Sequence, residues 1–414
     1  LTQWEETMEQ QHLFSRRDLG RVAAGFGWTS TLLALGGLFG PVTLPRLAQA
    51  AEATAKKRLS KPAKHTFKFG ASGFNEQNLR IQKSGQLFFA RDLEERTDGE
   101  IRVEFLGSNQ ICGQLDCVQK TQQQIVQIFS ASTQNSAGNA PYYNVLDFAF
   151  LFPSRASQYH FFYHPASEKL LREPLRKRHN IQFLFTHCEL RGIMLGQKWK
   201  DRPTVSSLEQ LAGTKNRVTG TQLGRIAMDL LKLNPVPIAW EETLDGLRQG
   251  LIDGAETWMG AVAYANMTPV VSQAVDLRFF CGTEHTAMNA AVFDGLEPAM
   301  QAAIMESAYT AQVHVQGAHE AALYDIVGAN DPPRPGTLFH KHGVRVATLP
   351  AEEMKKAESI ASPEHNPQPW ATWRDRLGEW AGGVDVYKEI HAIAREIPQD
   401  TSAVNVPPRR WWLS

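Results

Sequence analysis

Three segments carry the densest pattern in this chain: Leu211-Ala212-Gly213-Thr214-Lys215-Asn216-Arg217-Val218, Asn234-Pro235-Val236-Pro237-Ile238-Ala239-Trp240-Glu241-Glu242, and Leu247-Arg248-Gln249-Gly250-Leu251-Ile252-Asp253-Gly254-Ala255-Glu256. Between and within them the spacing predicts a helix over 223–231, a second helix over 241–250 and a strand at 251–254. Upstream, Ile181-Gln182-Phe183-Leu184-Phe185 reads as an apolar strand that begins the same cycle.

An earlier cycle has the same form. A strand at 66–70 precedes a helix over 76–96, whose Leu79, Leu87, Ala90 and Leu93 fall mostly on one face. Thr97-Asp98-Gly99 is a turn signal, and Ile101, Val103 and Phe105 then alternate as a strand does. A Gln-rich helix over 118–124 leads into an apolar strand at 125–129. Residues 299–328 form an Ala-rich helical stretch long enough to pack across two lobes. This alternation argues for α/β architecture with largely parallel sheets. Neither GxGxxG nor GxxxxGK[ST] occurs, so the pattern carries no dinucleotide or P-loop site.

At 414 residues the chain exceeds one core of ordinary size, and two domains are the default expectation. Lys+Arg and Asp+Glu are equal at 43 each, which removes the basic face that a nucleic-acid binder needs. The N-terminal part carries Ser15-Arg16-Arg17-Asp18-Leu19, an uncharged stretch over 22–45 and Ala48-Gln49-Ala50. Paired arginines, a mildly apolar run and a small-x-small site read as a cleaved twin-arginine export signal over 1–50, followed by a linker over 51–65. A retained anchor is the alternative, but several glycines dilute the run. Export places the mature part in the periplasm. Of four cysteines, Cys112 and Cys117 lie five apart and are either a small-loop disulfide or two free thiols. No CxxC spacing is present, and neither a metal nor a cofactor is expected.

The three opening segments resemble the "L-x-G-x-K-x-R-V" and "P-x-P-x-x-x-x-E-x-x-x-x-L-Q-x-G-x-V-D-G-x-E" patterns of C4-dicarboxylate-type solute-binding proteins of tripartite ATP-independent periplasmic (TRAP) transporters. Thr97-Asp98-Gly99-Glu100-Ile101 is similar to that family's "K-T-x-G-x-I", and Asp147-Phe148-Ala149-Phe150-Leu151-Phe152 to its "L-P-F-L-F". The resemblance covers roughly 66–395. Two departures stand out. The family's Pro-x-x-Gln-Leu-Gly loop is here Asn109-Gln110-Ile111-Cys112-Gly113-Gln114-Leu115, and Thr257-Trp258 follows Glu256 where many relatives carry Asn.

The resemblance implies a two-lobed periplasmic binding protein, a clamshell with hinge strands crossing between lobes and a long lobe-spanning helix. Lobe I is expected over 66–188 with 289–328, and lobe II over 189–288 with 329–395. Residues 396–414 form a tail without a reading. The implied partners are a small organic acid and membrane permease subunits; a homodimer stays open. No covalent chemistry is implied.

The same resemblance nominates ligand residues. Arg217 is the family's carboxylate-gripping arginine, and a planar, always-charged guanidinium suits a carboxylate better than lysine does; its alternative is a tie to Glu242 or Asp253. Arg191 matches the second arginine, otherwise a surface charge at a strand end. Trp240 would be an aromatic wall that lowers the local dielectric, or else ordinary core. Glu256, Thr257 and Trp258 should line the cleft at the sheet's mouth, with Glu256 more suited to orienting an arginine than to touching an acid. Phe74, Asn78 and Ser132 are ligand-facing by analogy, and His285 lies on an implied hinge strand. His160 and His164, four apart among aromatics, fit a packed helix rather than a metal site. No Ser/His/Asp or Cys/His signature supports an enzyme. The competing functions are a two-lobed receptor for another transporter or a sensor, and an exported enzyme.

Overall fold

The computed structural model describes residues 55–58, 60–73, 81 and 84–413. The export signal, Phe74 and Asn78 therefore lie outside the described residues. Two sheets organise the rest. The first has strand order β2-β1-β3-β10-β4, built from β1 (His65–Ala71), β2 (Ile101–Leu106), β3 (Ile128–Ser132), β4 (Ile181–Thr186) and β10 (Glu284–Asn289). The second has order β11-β9-β5-β8-β6-β7, built from β5 (Glu189–Gly196), β6 (Lys215–Val218), β7 (Asn234–Pro237), β8 (Gly254–Thr257), β9 (Val271–Gly282) and β11 (Arg345–Ala347).

The helix-linked strands pair in parallel, β1 with β2 and β3, and β6 with β7 and β8. The expectation of largely parallel sheets holds for these and for β9 with β11. β10 runs antiparallel to β3 and β4, and β5 antiparallel to β8 and β9. The reason is connectivity. β4 passes to β5 through His187 and Cys188 alone, and β9 passes to β10 through Thr283 alone. With no room for a crossover helix, each chain segment runs straight from one sheet into the other. These neighbouring segments, paired Glu189 with Gly282 and Thr186 with His285, form the hinge.

The hinge corrects the lobe boundary. Residues 284–288, expected in lobe II, belong to the first sheet. The C-terminal helices are also divided. Trp370 and Tyr387 pack on Phe148 of the first lobe, at ring centroid separations of 5.9 and 5.1 Å. Two strand positions shift as well. The strand expected at 125–129 is β3, because Gln124 turns at φ 60° and Ile125 is exposed. The strand expected at 251–254 is β8, because Gly250 at φ 71° ends the helix Thr243–Gln249 and Leu251 is 63% exposed. Glu256 and Thr257 thus lie in the strand itself.

Strand alternation distributes the core. Along β5, Ile193 and Leu195 join the large cluster that includes Phe69, Phe129 and Phe185, while Met194 joins a smaller one with Trp258, Val262 and Phe339 on the opposite face. The long helix Pro298–Ala322 packs on the helix Ser84–Arg96 and on β4. Its Gln312 clasps the hinge end of β4, accepting from Thr186 N at 2.9 Å and donating to Thr186 O at 2.5 Å. The continuing turn Leu323–Val327 buries Leu323 and Val327 in the smaller cluster, so this segment spans both lobes.

The tail is part of the fold. Gln316 Nε2 donates to Ala403 O and Val406 O at 2.6 and 3.0 Å. Trp411 is fully buried with the Arg172 guanidinium 4.3 Å from its ring centre.

Candidate functional site

Three adjacent strands of the second sheet carry the charged groups. Arg217 leaves β6 opposite Ala255, Glu256 sits one residue on in β8, and Arg191 leaves β5 on the far side of β8. The β6 register is set by backbone and side chain together. Asp253 N donates to Lys215 O at 2.7 Å, and its carboxylate accepts from Lys215 N at 2.9 Å. Asp253 is therefore engaged with Lys215 and, at 3.3 Å, with Lys198. It is not the partner of Arg217. At Arg191 the β5–β9 register shifts, and a Cβ on Gly192 would lie 2.1 Å from Val275 O. Only glycine lets the strands approach so closely after the arginine.

The two arginines differ in their satisfaction. Arg191, 1% exposed, meets Glu256 with both arms: Nη2 donates to Oε2 at 2.9 Å and Nε to Oε1. Its guanidinium also stacks 4.7 Å from the Trp258 ring centre. Glu256 thus stands behind Arg191, holding it. Arg217 is also 1% exposed, but its Nε donates only to Ile238 O at 3.1 Å. Its Nη2 has no partner among the described residues, and the nearest aromatic face is Trp240 at 5.2 Å. Burial, and after it the neighbouring Arg191, pushes the Arg217 guanidinium down to about 10. A buried cation in that position is electrostatically incomplete.

Across from this sheet, the first lobe contributes an amide and hydroxyl wall. Ser132 ends β3, and its hydroxyl accepts from Asn135 N at 3.2 Å, starting a short helical turn. Gln114 bridges the wall. Its Oε1 accepts from Ser132 N at 2.8 Å and Asn135 Nδ2 at 3.2 Å, and its Nε2 donates to Ser72 at 2.7 Å and Glu284 at 3.2 Å. The loop bearing Gln114 is closed by a Cys112–Cys117 disulfide, which settles the open question about those thiols. From the other lobe, the Glu241 carboxylate accepts Gln114 N at 3.4 Å, so the lobes touch across the cleft.

Arg191, Arg217, Trp240, Thr257, Trp258 and Ser132 therefore face one common space, together with Gln114, Asn135, Tyr264 and Glu284. Its volume is about 200 Å³. A wider space of about 710 Å³ adjoins it past Trp240 and Tyr264. His285 is a correction. It is fully buried in the first lobe, with Nε2 on Tyr143 Oη at 2.6 Å, Nδ1 on Ala131 O at 2.7 Å and its ring stacked on Phe183. Strand alternation turns its neighbour Glu284 to the cleft instead. Sequence reasoning missed Glu284 by one residue, and Asn135 by three from Ser132. Gln114 stood in the rewritten loop, while Tyr264 carried no signal beyond a short apolar helix. His160, on the helix Arg155–Tyr163, pairs with Glu396 at 2.8 Å.

Comparisons with known proteins agree with this architecture. The profile of the bacterial extracellular solute-binding protein, family 7 (DctP), matches residues 73–327. The 2,3-diketo-L-gulonate-binding periplasmic protein YiaO of Escherichia coli is 24% identical over 259 residues, covering 59% of this chain and 71% of that protein. Among solved structures, a TRAP periplasmic solute-binding protein from Shewanella oneidensis with bound succinate superposes with a TM-score of 0.66. It is 18% identical and covers 81% of this chain and all of that one. One from Sulfitobacter sp. with bound β-D-galacturonate has a TM-score of 0.64 at 18% identity, covering 78% and 99%. With the family profile matched over more than half its length, on a two-sheet fold with strands crossing between lobes, this chain belongs to the family 7 solute-binding proteins of TRAP transporters.

Proposed function

We propose that the chain captures a small organic carboxylate between its lobes in the periplasm and hands it, unchanged, to the membrane subunits of a TRAP-type transporter. The observation that carries this is Arg217, a buried guanidinium that, among the described residues, has no partner for Nη2 and no carboxylate among its hydrogen-bond partners. A ligand carboxylate supplies the missing charge, and the water-poor cleft strengthens the pair. Arg191, held in place by Glu256, adds a second guanidinium to the wall of the cleft. Thr257 and Ser132 offer hydroxyls, and Trp240 and Trp258 offer faces against which the ligand's body packs.

The opposite wall narrows the class. Glu284 and Gln114 lie where the rest of the ligand would rest. A second carboxylate there would meet Glu284 with like charge, whereas hydroxyl groups would donate to it. The reading therefore favours hydroxylated monocarboxylates, of the kind bound by the galactonate-binding relative from Advenella mimigardefordensis, over succinate. A thermal-shift screen across sugar acids, 2-oxo acids, aromatic acids and dicarboxylates tests it. A ligand at a hundredfold its Kd raises stability by about 2.7 kcal/mol. A screen in which succinate stabilises and no hydroxy acid does would overturn the class, and one in which no carboxylate binds would overturn the function. Mass spectrometry of the released ligand should return it unaltered. Delivery by the twin-arginine route is part of the proposal: Arg16→Lys with Arg17→Lys should retain the protein in the cytoplasm.

A further inference from the structure

A buried cluster behind the cleft takes no part in the carboxylate site. His187 lies in the connection from β4 to β5, Glu189 opens β5, and His319 comes from the long helix; each is 2% exposed. One ligand atom from each, two imidazole nitrogens and a carboxylate oxygen, lies within 4.8 Å of the others. His319 Nε2 stands 3.0 Å from Glu189 Oε1, and the two imidazole rings are centred 4.4 Å apart.

The outer atoms of the cluster are held by backbone. His319 Nδ1 lies 3.0 Å from Ile81 O, a carbonyl that can only accept, so Nδ1 carries the proton and Nε2 points inward. Glu189 Oε2 accepts from Gly260 N at 3.2 Å, which leaves Oε1 facing the histidines. A Cβ on Gly260 would stand 2.3 Å from Glu189 Oε1, so a glycine is required for that approach. An imidazole fixed in tautomer by a carbonyl, and a carboxylate fixed by an amide, are the supports that metal ligands commonly have.

We propose that His187, Glu189 and His319 form a binding site for one divalent transition ion of the zinc class. Two imidazoles and one carboxylate suit such an ion and do not suit calcium or magnesium, which prefer all-oxygen shells. Ligand bonds of about 2.0–2.2 Å place tetrahedral donors about 3.3–3.6 Å apart. The 3.0 Å His319–Glu189 separation opens slightly, and the His187 ring turns inward to close the rest. The bound ion joins the hinge strand to the lobe-spanning helix and, through Gly260, to the helix Met259–Tyr264 of the second lobe. His187 also meets the edge of Trp258, a wall of the cleft, at 5.8 Å between centroids. An ion here therefore stiffens the hinge and sets that wall. The sequence offers no hint of it, because the ligands are spread from 187 to 319.

The test uses the mature protein without a histidine tag, stripped with a chelator and titrated with Co²⁺ by visible spectroscopy and with Zn²⁺ by calorimetry. The proposal expects one ion per chain, with the intense visible bands of a low-coordinate cobalt site. His187→Asn and His319→Asn should each weaken binding on the order of a hundredfold or more. His340→Asn with His342→Asn, on the exposed surface, should leave it unchanged. No cobalt band and no zinc heat in the wild-type protein would identify the cluster as an ordinary His–Glu pair and overturn the proposal. So would unchanged affinity in His187→Asn, the variant that leaves the His319–Glu189 contact intact should His319→Asn fail to fold. Carboxylate binding is measured separately, so either reading can fail alone.

Discussion

Glu256 holds Arg191 by both arms inside the second lobe, with Nη2 2.9 Å from Oε2 and both side chains essentially without solvent contact. Arg217, across β8 from it, has no such acid among the described residues. The cleft thus holds two arginines side by side, one paired and one not, and the proposed function assigns the unpaired one to an incoming anion. Five measurements probe this arrangement and the fold around it.

Arg217→Ala should weaken carboxylate binding by about 3–5 kcal/mol, the cost of a buried charge that has lost its partner, or on the order of a few hundred- to a few thousand-fold in Kd. Arg217→Lys should recover only part of this, because the ammonium lacks the planar fork. Without ligand, Arg217→Met should melt no lower than wild type, since it removes an uncompensated buried cation. Calorimetric titration and melting curves on the same variants separate a ligand-gripping arginine from a structural one, which would show the opposite pattern.

Glu256→Gln should lower unfolding stability by about 3–5 kcal/mol by stranding Arg191. Replacing both residues with methionine should cost less than either single change, because neither charge is then left alone. Chemical denaturation of the three variants reads this directly. A double variant as unstable as the sum of the singles would contradict the pairing.

Asp147 is fully buried near Arg191, and burial pushes its carboxyl up to about 8. Its folded value lies above the ordinary 3.8, so the native state holds a proton that the unfolded chain has released. That contribution is complete below pH about 4 and is lost progressively up to pH about 8. Asp147→Asn should flatten the fall in Tm across this window, with its largest gain at pH 8 and none at pH 4.

Cys112 and Cys117 close the loop that carries Gln114 into the cleft. Reduction, or Cys112→Ser with Cys117→Ser, should cost about 2 kcal/mol for so short a loop. Ligand affinity should fall as well, because Gln114 must then be ordered on binding. Affinity untouched by dithiothreitol would show that the Gln114 wall is held without the disulfide.

Trp411→Ala should destabilise the chain by about 3–5 kcal/mol, as truncation of a buried aromatic does. It also removes the stack on Arg172. Trp411 does not line the cleft, so ligand affinity in the folded fraction should remain at the wild-type level.

Much of this was legible in the chain, wherever the signal is local. The short strand at 66–70, the alternating run at 101–105 and the apolar run at 181–185 became β1, β2 and β4, since such runs are local properties of the chain. Arg191, Arg217, Thr257 and Trp258 sit on or beside strands that the segment patterns located, and all four face the cleft. Errors arose where a one-residue offset matters. His285 and Glu284 adjoin, and only the pairing of β10 with β3 and β4 shows which of them turns outward.

The sequence by itself determined the alternating architecture, the family and the strands that bear Arg191 and Arg217, because strand periodicity, turn residues and contiguous motifs are written within short windows. Tertiary structure alone decided the antiparallel hinge, the Gln114–Glu284 wall and the gathering of His187, Glu189 and His319. It also turned a tail without pattern into a buried clasp through Trp411. Each of these depends on segments more than ninety residues apart meeting in space. No short window holds that information, since which distant groups meet is set by how the sheets and the long helix pack.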